Sequence, residues 1–306
     1  MTSDTTPSPD KLPPRDLPRR RSGRHRDPLS FDDALGTPTL VLVAAHDEEP
    51  SGAQPAQLAD LVRAYRPEVP VRVGYAAGGS RALSAVFNEL APVQGQPLRA
   101  VAVPLVAAPN PELNETTAAA IAESGADVTI SEGLGPHPML AELLHLRLAE
   151  SGFVRADRMR LISVVAASAG MTDGVVVGAP VGSDADAAAG VTAVLLAARL
   201  GITVLPAALG DDSSVDDAFA QLRRSGAQRP VLAPCLLGTE RDSALVERIA
   251  ARVNVDHCAA LGVSNTLAKI VVLRYADVLN AVGLEHQPSV ADLPAPAGTR
   301  HRPEEG

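Results

Sequence analysis

The residues best suited to chemistry in this chain stand at the end of its first apolar run. His46 directly follows the run Thr39–Ala45, and the next three residues are all acidic: Asp47, Glu48 and Glu49. A neutral imidazole binds divalent cations, and nearby carboxylates raise the local cation concentration. The alternative is a solvated loop in which His46 only ends a strand. The residues alone leave both interpretations open.

Other common catalytic motifs are absent. No GxGxxG or GxxxxGK[ST] motif opens a helix, so a nucleotide cofactor has no support, and no GxSxG elbow occurs. The only lysines are Lys11, in a polar end segment, and Lys269, in an apolar helix, which disfavours Schiff-base chemistry. The two cysteines, Cys235 and Cys258, lack metal-ligand spacing and are expected to be buried, unpaired hydrophobes.

Composition excludes several partners. The 306 residues include only 2% aromatics and no tryptophan, and the net charge is -9, which argues against nucleic acid as the main partner. No apolar run approaches the ~18 residues of a membrane-spanning helix. The basic N-terminal stretch is not followed by the apolar segment of a signal peptide. We therefore expect no membrane partner and a cytoplasmic location; the oligomeric state stays open.

Short apolar runs alternate with helical periodicity along the chain, which predicts parallel sheets covered by helices. The glycine pair Gly78-Gly79 follows the second run and is interpreted as a βα turn. The predicted strands are Thr39–Ala45, Val71–Ala76, Arg99–Val106, Val128–Ser131, Gly174–Ala179, Thr203–Ala207, Val231–Leu236 and Val255–Ala260. The predicted helices are Gln57–Tyr65, Arg81–Leu90, Thr116–Glu123, Pro138–Glu150, Ala187–Leu200, Ala218–Ser225, Ala244–Ala251 and Thr266–Asn280.

The second series of elements repeats the first, which predicts an internal duplication. The landmarks that align in order are Pro104 with Pro234, Ile121 with Ile249, Leu134-Gly135 with Leu261-Gly262, and Arg147 with Arg274. The predicted fold class is α/β, with two similar domains, 37–150 and 173–285, joined by a linker, 151–172. Each domain is expected to be a parallel sheet flanked by helices.

The two ends differ in composition from the middle. Residues 1–36 and 286–306 are rich in proline and charge, which is typical of disordered tails. The first tail carries five arginines between positions 19 and 26, and is interpreted as a solvated segment or, alternatively, as an arm that recruits an anionic partner.

The ordered set of motifs resembles the class II chelatases, the sirohydrochlorin and cobalt chelatase family, in its tandem two-half form. The resemblance covers about residues 38–284, and single motifs are weak whereas their order is more specific. The motifs that carry it are Leu40–His46, Val103-Pro104-Leu105, Leu134–Pro138 with Arg147, Gly182-Ser183-Asp184, Pro234–Leu237, Leu261-Gly262 and Arg274-Tyr275.

The resemblance implies a cleft between two halves in which Co²⁺ or Fe²⁺, as substrate, enters a reduced tetrapyrrole without ATP. Two histidines of the N-terminal half act in this family, and His46 matches the first. The second histidine is replaced within Pro109–Glu112, and an ungapped register places Glu112 at its position. Glu112 is therefore the candidate partner of His46 as metal ligand and base. Its counterpart in the second half is Glu240, whereas Val181 stands at the histidine position there.

The predicted function is a sirohydrochlorin-type chelatase of cobalamin or sirohaem biosynthesis. The alternatives are a degenerate paralogue that binds metal or tetrapyrrole without turnover, and an interaction protein. The Gly-Ser-Arg that follows the first histidine in the family is missing, which is why the degenerate alternative is kept. His137 is expected in a turn, His145 and His257 in packing or surface roles, and both Arg147 and Arg274 in structural roles or at the macrocycle.

Overall fold

Apolar, largely β-branched runs form the strands, because they are covered on both faces and need no polar side. A computed structural model describes residues 37–46, 53–79, 81–93, 96–155, 171–180, 185–237 and 243–284. The strands are β1 (Thr39–Ala44), β2 (Val71–Tyr75), β3 (Ala100–Pro104), β4 (Val128–Ile130), β5 (Gly174–Ala179), β6 (Thr203–Ala208), β7 (Pro230–Pro234) and β8 (Asp256–His257). No helix in these ranges is both long and apolar enough to cross a membrane.

The helices follow the strands one by one, as βα units require. They are α1 (Ala53–Tyr65), α2 (Leu83–Asn88), α3 (Pro111–Ser124), α4 (Pro138–Glu150), α5 (Ala185–Leu200), α6 (Asp212–Arg224), α7 (Ser243–Val253) and α8 (Asn265–Ala281). The short α2 begins later than the predicted Arg81, because the Arg81 carbonyl accepts the Tyr75 N–H at 2.9 Å. The next residue, Ala82, forms an isolated parallel bridge with Tyr75. Only two residues of the predicted Val255–Ala260 pair as a strand.

The two halves repeat one topology. The first sheet has the order β2-β1-β3-β4 and the second β6-β5-β7-β8, with every pairing parallel. The residue after β3 donates its N–H to Val43, and Cys235, the residue after β7, donates its own to Gly178, both at 2.8 Å. In the same way, Leu134 donates its N–H to a carbonyl of the loop after β3, and Leu261 donates its N–H to a carbonyl of the loop after β7. The predicted α/β fold with two similar parallel sheets is confirmed.

The last helix of each half packs on the other half. Helix α4 contacts α5 and β7, while α8 contacts α1 and β3, and α4 and α8 also contact each other. The described residues all lie in one compact unit that begins at Leu35. The boundary between domains 37–150 and 173–285 therefore stays a prediction. The last helix of each range packs against the other range.

One apolar core fills the space between the two sheets. It joins alternate residues of both first strands, such as Leu42 and Val177, with the inner faces of α1, α4, α5 and α8. Each sheet has a smaller apolar cluster on its outer face. The cluster on the first sheet lies around Phe87 and the cluster on the second lies around Phe219. A buried hydrogen bond ties α8 to the first half, because the Tyr275 hydroxyl donates to the Pro38 carbonyl at 2.6 Å. The exchanged helices thus hold the two halves together.

Candidate functional site at the carboxyl edge of the first sheet

His46 lies two residues beyond β1, at the edge where ligands bind in open parallel sheets. Its side chain is partly buried, and the ring Nδ1 is fully buried without a hydrogen-bond partner among the described residues. A buried polar atom without a partner costs about 1–3 kcal/mol. The position predicted from sequence is therefore a strand-end imidazole whose buried ring nitrogen has no partner among the described residues. The acidic residues 47–49 lie outside the described residues.

The loop after β2 borders His46. Ala76 and Ala77 donate their N–H groups to Ala44 and Ala45, each at 2.9 Å, so the pairing of β1 with β2 continues to the edge. Gly78 and Gly79 follow with φ of 94° and 95°, a backbone region that favours glycine. The predicted βα turn at this glycine pair is confirmed.

Arg81 closes this loop and is a residue for which the sequence predicts no functional role. Its guanidinium carbon stands 5.0 Å from the centre of the buried Tyr75 ring, while the side chain itself is exposed. A cation over an aromatic face is favourable by about 0.5–1 kcal/mol at an exposed site. The only sequence signal for this arrangement was an arginine just after a glycine turn.

Glu112 occupies the start of α3, after the strand next to β1. The Asn110 side chain caps the helix by accepting the Leu113 N–H at 3.0 Å, and Pro111 takes the first helical position. An acidic residue in the first turn interacts favourably with the helix dipole, so Glu112 has a local role in stabilising the start of α3. Its side chain is exposed, and no hydrogen bond or ion pair joins it to His46 among the described residues. Its part in metal binding stays a prediction, and its counterpart Glu240 lies outside the described residues.

The other histidines have structural partners. His137 caps α4, because its Nδ1 accepts the Met139 N–H at 3.1 Å. Burial lowers the pKa of His137, and the positive charge of Arg274 lowers it further, whereas Asp277 opposes this shift. His145 is buried, with its Nε2 2.8 Å from the Arg155 carbonyl oxygen. The imidazole of His137 is thus held neutral at the same edge of the first sheet.

His257 lies in β8, partly buried, with its Nδ1 3.1 Å from the Cys258 carbonyl oxygen. Both Cys235 and Cys258 are buried and form no disulfide, as predicted. Burial raises the pKa of the Cys258 thiol to about 12. These residues are therefore packing elements of the second half, and the Cys258 thiol is protonated and unreactive at neutral pH.

The paired arginines of α4 and α8 bridge the halves. Arg147 donates from Nε and Nη2 to the Leu261 carbonyl at 3.0 and 2.5 Å, and Arg274 donates from Nε to the Gly133 carbonyl at 2.9 Å. Each also meets an acid, Glu150 at 2.7 Å and Glu132 at 3.0 Å respectively. Of the two predicted roles, the structure shows the structural one. The sequence could pair these arginines but could not show that each reaches across to the other half.

The described ranges contain no group of three or more His, Cys, Asp or Glu side chains arranged to hold a metal ion. A cavity of about 560 Å³ opens at the opposite edge of the second sheet, near the starts of β7 and β8, and none of the predicted site residues lines it. A narrow niche lies between the halves, bounded by Gln54, Leu105 and Leu237, just beyond β3 and β7. The carboxyl edge around His46 remains the candidate site.

Comparison with known proteins identifies the fold. No protein-family model and no curated protein matches the chain. SirB from Bacillus subtilis with Fe³⁺ is similar in structure, with a TM-score of 0.62 and 16% identity over 80% of this chain and 96% of that one. The sirohydrochlorin chelatase SirB from Bacillus subtilis subspecies spizizenii, in complex with cobalt, gives a TM-score of 0.55 and 14% identity over the same shares.

A third solved structure is also similar to this chain. It is CbiX, described as the terminal enzyme for biosynthesis of siroheme in denitrifying bacteria, with a TM-score of 0.53 and 17% identity over 79% of this chain and 100% of that one. These matches cover about four fifths of this chain and therefore span both halves. At such identities they speak for the fold, and the chain therefore has the two-half α/β fold of the class II chelatases.

Proposed function

We propose that this protein inserts a divalent cation, Co²⁺ or Fe²⁺, into a reduced tetrapyrrole of the sirohydrochlorin type. The observation that carries the proposal is His46 at the carboxyl edge of the first sheet, whose buried Nδ1 has no hydrogen-bond partner among the described residues. An imidazole in this state fits a cation or a pyrrole N–H as its missing partner. The chelatase-like fold and the metals named in two of the similar structures add support.

Metal insertion needs a ligand that holds the ion and a base that takes two pyrrole protons. His46 supplies a ring nitrogen for either task, and the proposed reaction uses no nucleotide. Glu112 is the proposed second group, because its helix begins just after the strand that neighbours β1. Carboxylate oxygen suits divalent cations, and an exposed first-turn side chain is able to turn toward a bound ion. The biosynthesis of sirohaem or cobalamin in the cytoplasm is the setting we propose.

A second candidate function is binding without turnover, as a metal or tetrapyrrole carrier. The observation that favours it is the local role of Glu112, whose helix start explains the residue without any ligand. A site with one histidine would bind the metal or the macrocycle but lack the second group for proton removal.

Anaerobic insertion assays separate the two functions. Wild-type protein is mixed with metal-free sirohydrochlorin and Co²⁺ or Fe²⁺, and the rate is compared with the uncatalysed reaction. A chelatase exceeds that background, whereas a carrier binds sirohydrochlorin stoichiometrically and leaves the rate unchanged. Glu112→Gln tests the second group, with Glu115→Gln as the matched control because Glu115 is also exposed on α3. Equal rates in the two variants contradict the role of Glu112.

A further inference from the structure

We infer that two copies of this protein associate through the outer side of helix α5, in antiparallel fashion about a two-fold axis. The residues of this surface, called the α5 face below, are exposed or partly exposed; they are Ala187, Gly190, Val191, Val194 and Ala198. Val194 is 70% exposed, the highest value among the exposed large apolar side chains of the described ranges, and Val191 is 49% exposed.

Helix α5 is apolar around its whole circumference. No charged residue occurs between Ala187 and Ala198, and the one polar side chain there, Thr192, is buried. The Thr192 hydroxyl is used inside the helix, where it donates to the Ala188 carbonyl at 3.1 Å. A surface helix carries polar residues on its solvent side, whereas a helix that is apolar on all sides is buried. The outer side of α5 is therefore built like an interior surface.

The internal duplication supplies a reference for this face, because α1 follows the first strand of its half as α5 does. Residues 55–62 and 189–196 show the same succession of buried, partly buried and exposed positions. Gln57 and Asp60 of α1 are exposed at the positions that Val191 and Val194 occupy in α5. The fold accepts polar side chains at these positions, so packing within one chain does not explain the two valines.

Gly190 also points to a partner. It lies in the interior of α5, where glycine weakens a helix relative to alanine. A β-carbon added at Gly190 would meet nothing within 4 Å, so no neighbouring side chain requires a glycine there. Gly190 lies one turn before Val194 on the same side of the helix. The missing β-carbon lets the backbone of a second helix approach the α5 face closely.

The spacing along the α5 face makes it complementary to itself. Four, three and four positions separate its residues in turn, so their order is the same in both directions; they are Ala187, Val191, Val194 and Ala198. A two-fold axis midway between Val191 and Val194 places each valine against the other valine of the second copy. The same axis places Gly190 against Leu195 of the second copy, a small side against a large one. Such a pairing closes at two copies.

Helix α4 extends the α5 face. It packs beside α5, and a carboxylate oxygen of Glu142 stands 3.9 Å from a guanidinium nitrogen of Arg199. Leu146 lies one turn beyond Glu142 and is 45% exposed. Two adjacent helices, each about 20 Å long and about 10 Å wide, present a flat outline of about 400 Å². Two copies therefore bury at least about 800 Å², which is the range of weak, reversible complexes. We expect a dimer with a Kd in the micromolar range.

Charge argues against a lipid surface as the occupant of the α5 face. Helices that lie on membranes carry lysine and arginine beside their apolar side. The only basic residue of α5 is Arg199, which is paired with Glu142, and the net charge of the chain is -9. Anionic lipids would repel such a protein, whereas the apolar α5 face of a second copy does not.

Sedimentation velocity of the full-length protein, over a range of about 1 to about 200 μM, tests the dimer. We expect the mean mass to rise from that of one chain toward that of two. Val194→Asp should weaken dimerisation at least about a hundredfold, because the two-fold axis buries the unpaired carboxylate twice. Leu273→Asp is the control, since Leu273 is 45% exposed on α8, one turn from Lys269 and one from Asp277. It should dimerise as wild type does.

Two further measurements separate association from folding and fix the direction of the pairing. The melting temperature of Val194→Asp at the lowest concentration should equal that of wild type, because the side chain is exposed in the single chain. Under mild oxidation, Ala187→Cys and Ala198→Cys proteins should cross-link when mixed and not when separate. Antiparallel pairing holds like positions roughly 16 Å apart along the helix axis, beyond the reach of a disulfide.

The outcomes that would overturn the inference are distinct. A wild-type protein that stays monomeric at the highest concentration would overturn it, as would a dimer that Val194→Asp leaves intact. A monomer that Val194→Asp destabilises would assign the α5 face to another segment of the same chain, and not to a second copy. Cross-linking of each cysteine variant alone, as readily as in the mixture, would overturn the antiparallel arrangement.

Discussion

The exchange of helices between the halves can be tested through one hydroxyl group. Tyr275 on α8 is fully buried and donates to the Pro38 carbonyl at 2.6 Å, just before β1. Tyr275→Phe keeps the ring and its packing but removes the donor, which leaves a buried carbonyl unpaired. This costs about 1–3 kcal/mol of unfolding free energy. The melting temperature should fall by roughly 2–4 °C for each kcal/mol in a chain of this size.

Urea unfolding followed by far-UV circular dichroism measures this loss, which suits a chain without tryptophan. Tyr65→Phe is the matched control, because Tyr65 is 40% exposed at the end of α1. Its free energy of unfolding should change by less than about 0.5 kcal/mol. If Tyr275→Phe is no more destabilising than Tyr65→Phe, the buried link between α8 and the first half is refuted.

Three further predictions concern the loops and the second half. A β-carbon at Gly135 would stand 2.0 Å from the Ala107 carbonyl oxygen, so Gly135→Ala should cost at least about 3 kcal/mol in urea unfolding, against about 1 kcal/mol for Gly125→Ala, where φ is 61° and no atom is near. Equal losses would contradict this packing. Burial lowers the pKa of His137 below its usual 6.5, so its contribution to stability is complete above pH 6.5 and is lost as the pH falls. Wild type should therefore lose stability relative to His137→Asn, which keeps a capping side chain, between pH 7.5 and 5; parallel pH profiles would refute it. With its pKa raised to about 12, Cys258 should resist iodoacetamide at pH 8 until urea unfolds the protein, and rapid labelling of the native protein would contradict its burial.

The sequence predicted the sheets well because each strand is an uninterrupted apolar run. Val41 and Leu42 point to opposite faces, and both are fully buried, which is the situation that a continuous run indicates. The alignment of landmarks between the halves also corresponds to real geometry. Pro104 and Pro234 end equivalent strands, as their alignment predicted.

The exchange of α4 and α8 could not be predicted from this pattern. A helix presents the same apolar stripe whether it covers its own sheet or a neighbouring one, so the periodicity of Leu140, Leu144 and Leu148 is silent about its partner. Arg147 and Arg274 contact the other half, but the sequence shows only that their side chains are long enough to do so. Their acceptors are backbone carbonyls, which leave no mark in the sequence.

Some residues of the candidate site could likewise be predicted from the sequence, and others could not. His46 could be placed because a strand end is visible in sequence, and its position after β1 agrees with the prediction. Asn110, Pro111 and Glu112 together are a helix-start pattern, and this local reading competes with any role for the glutamate in metal binding. The place of Arg81 could not be predicted, because it depends on a turn, a buried ring and strand register at once.

The rate of Co²⁺ insertion into sirohydrochlorin by His46→Ala, relative to wild type, tests the central proposal most directly. His257→Ala is the control, a partly buried histidine in the second half. If His46 holds the metal or takes the pyrrole proton, its removal should lower the rate at least about tenfold, while His257→Ala retains the wild-type rate. Equal rates for wild type and His46→Ala would contradict the assignment of this edge as the site of metal insertion.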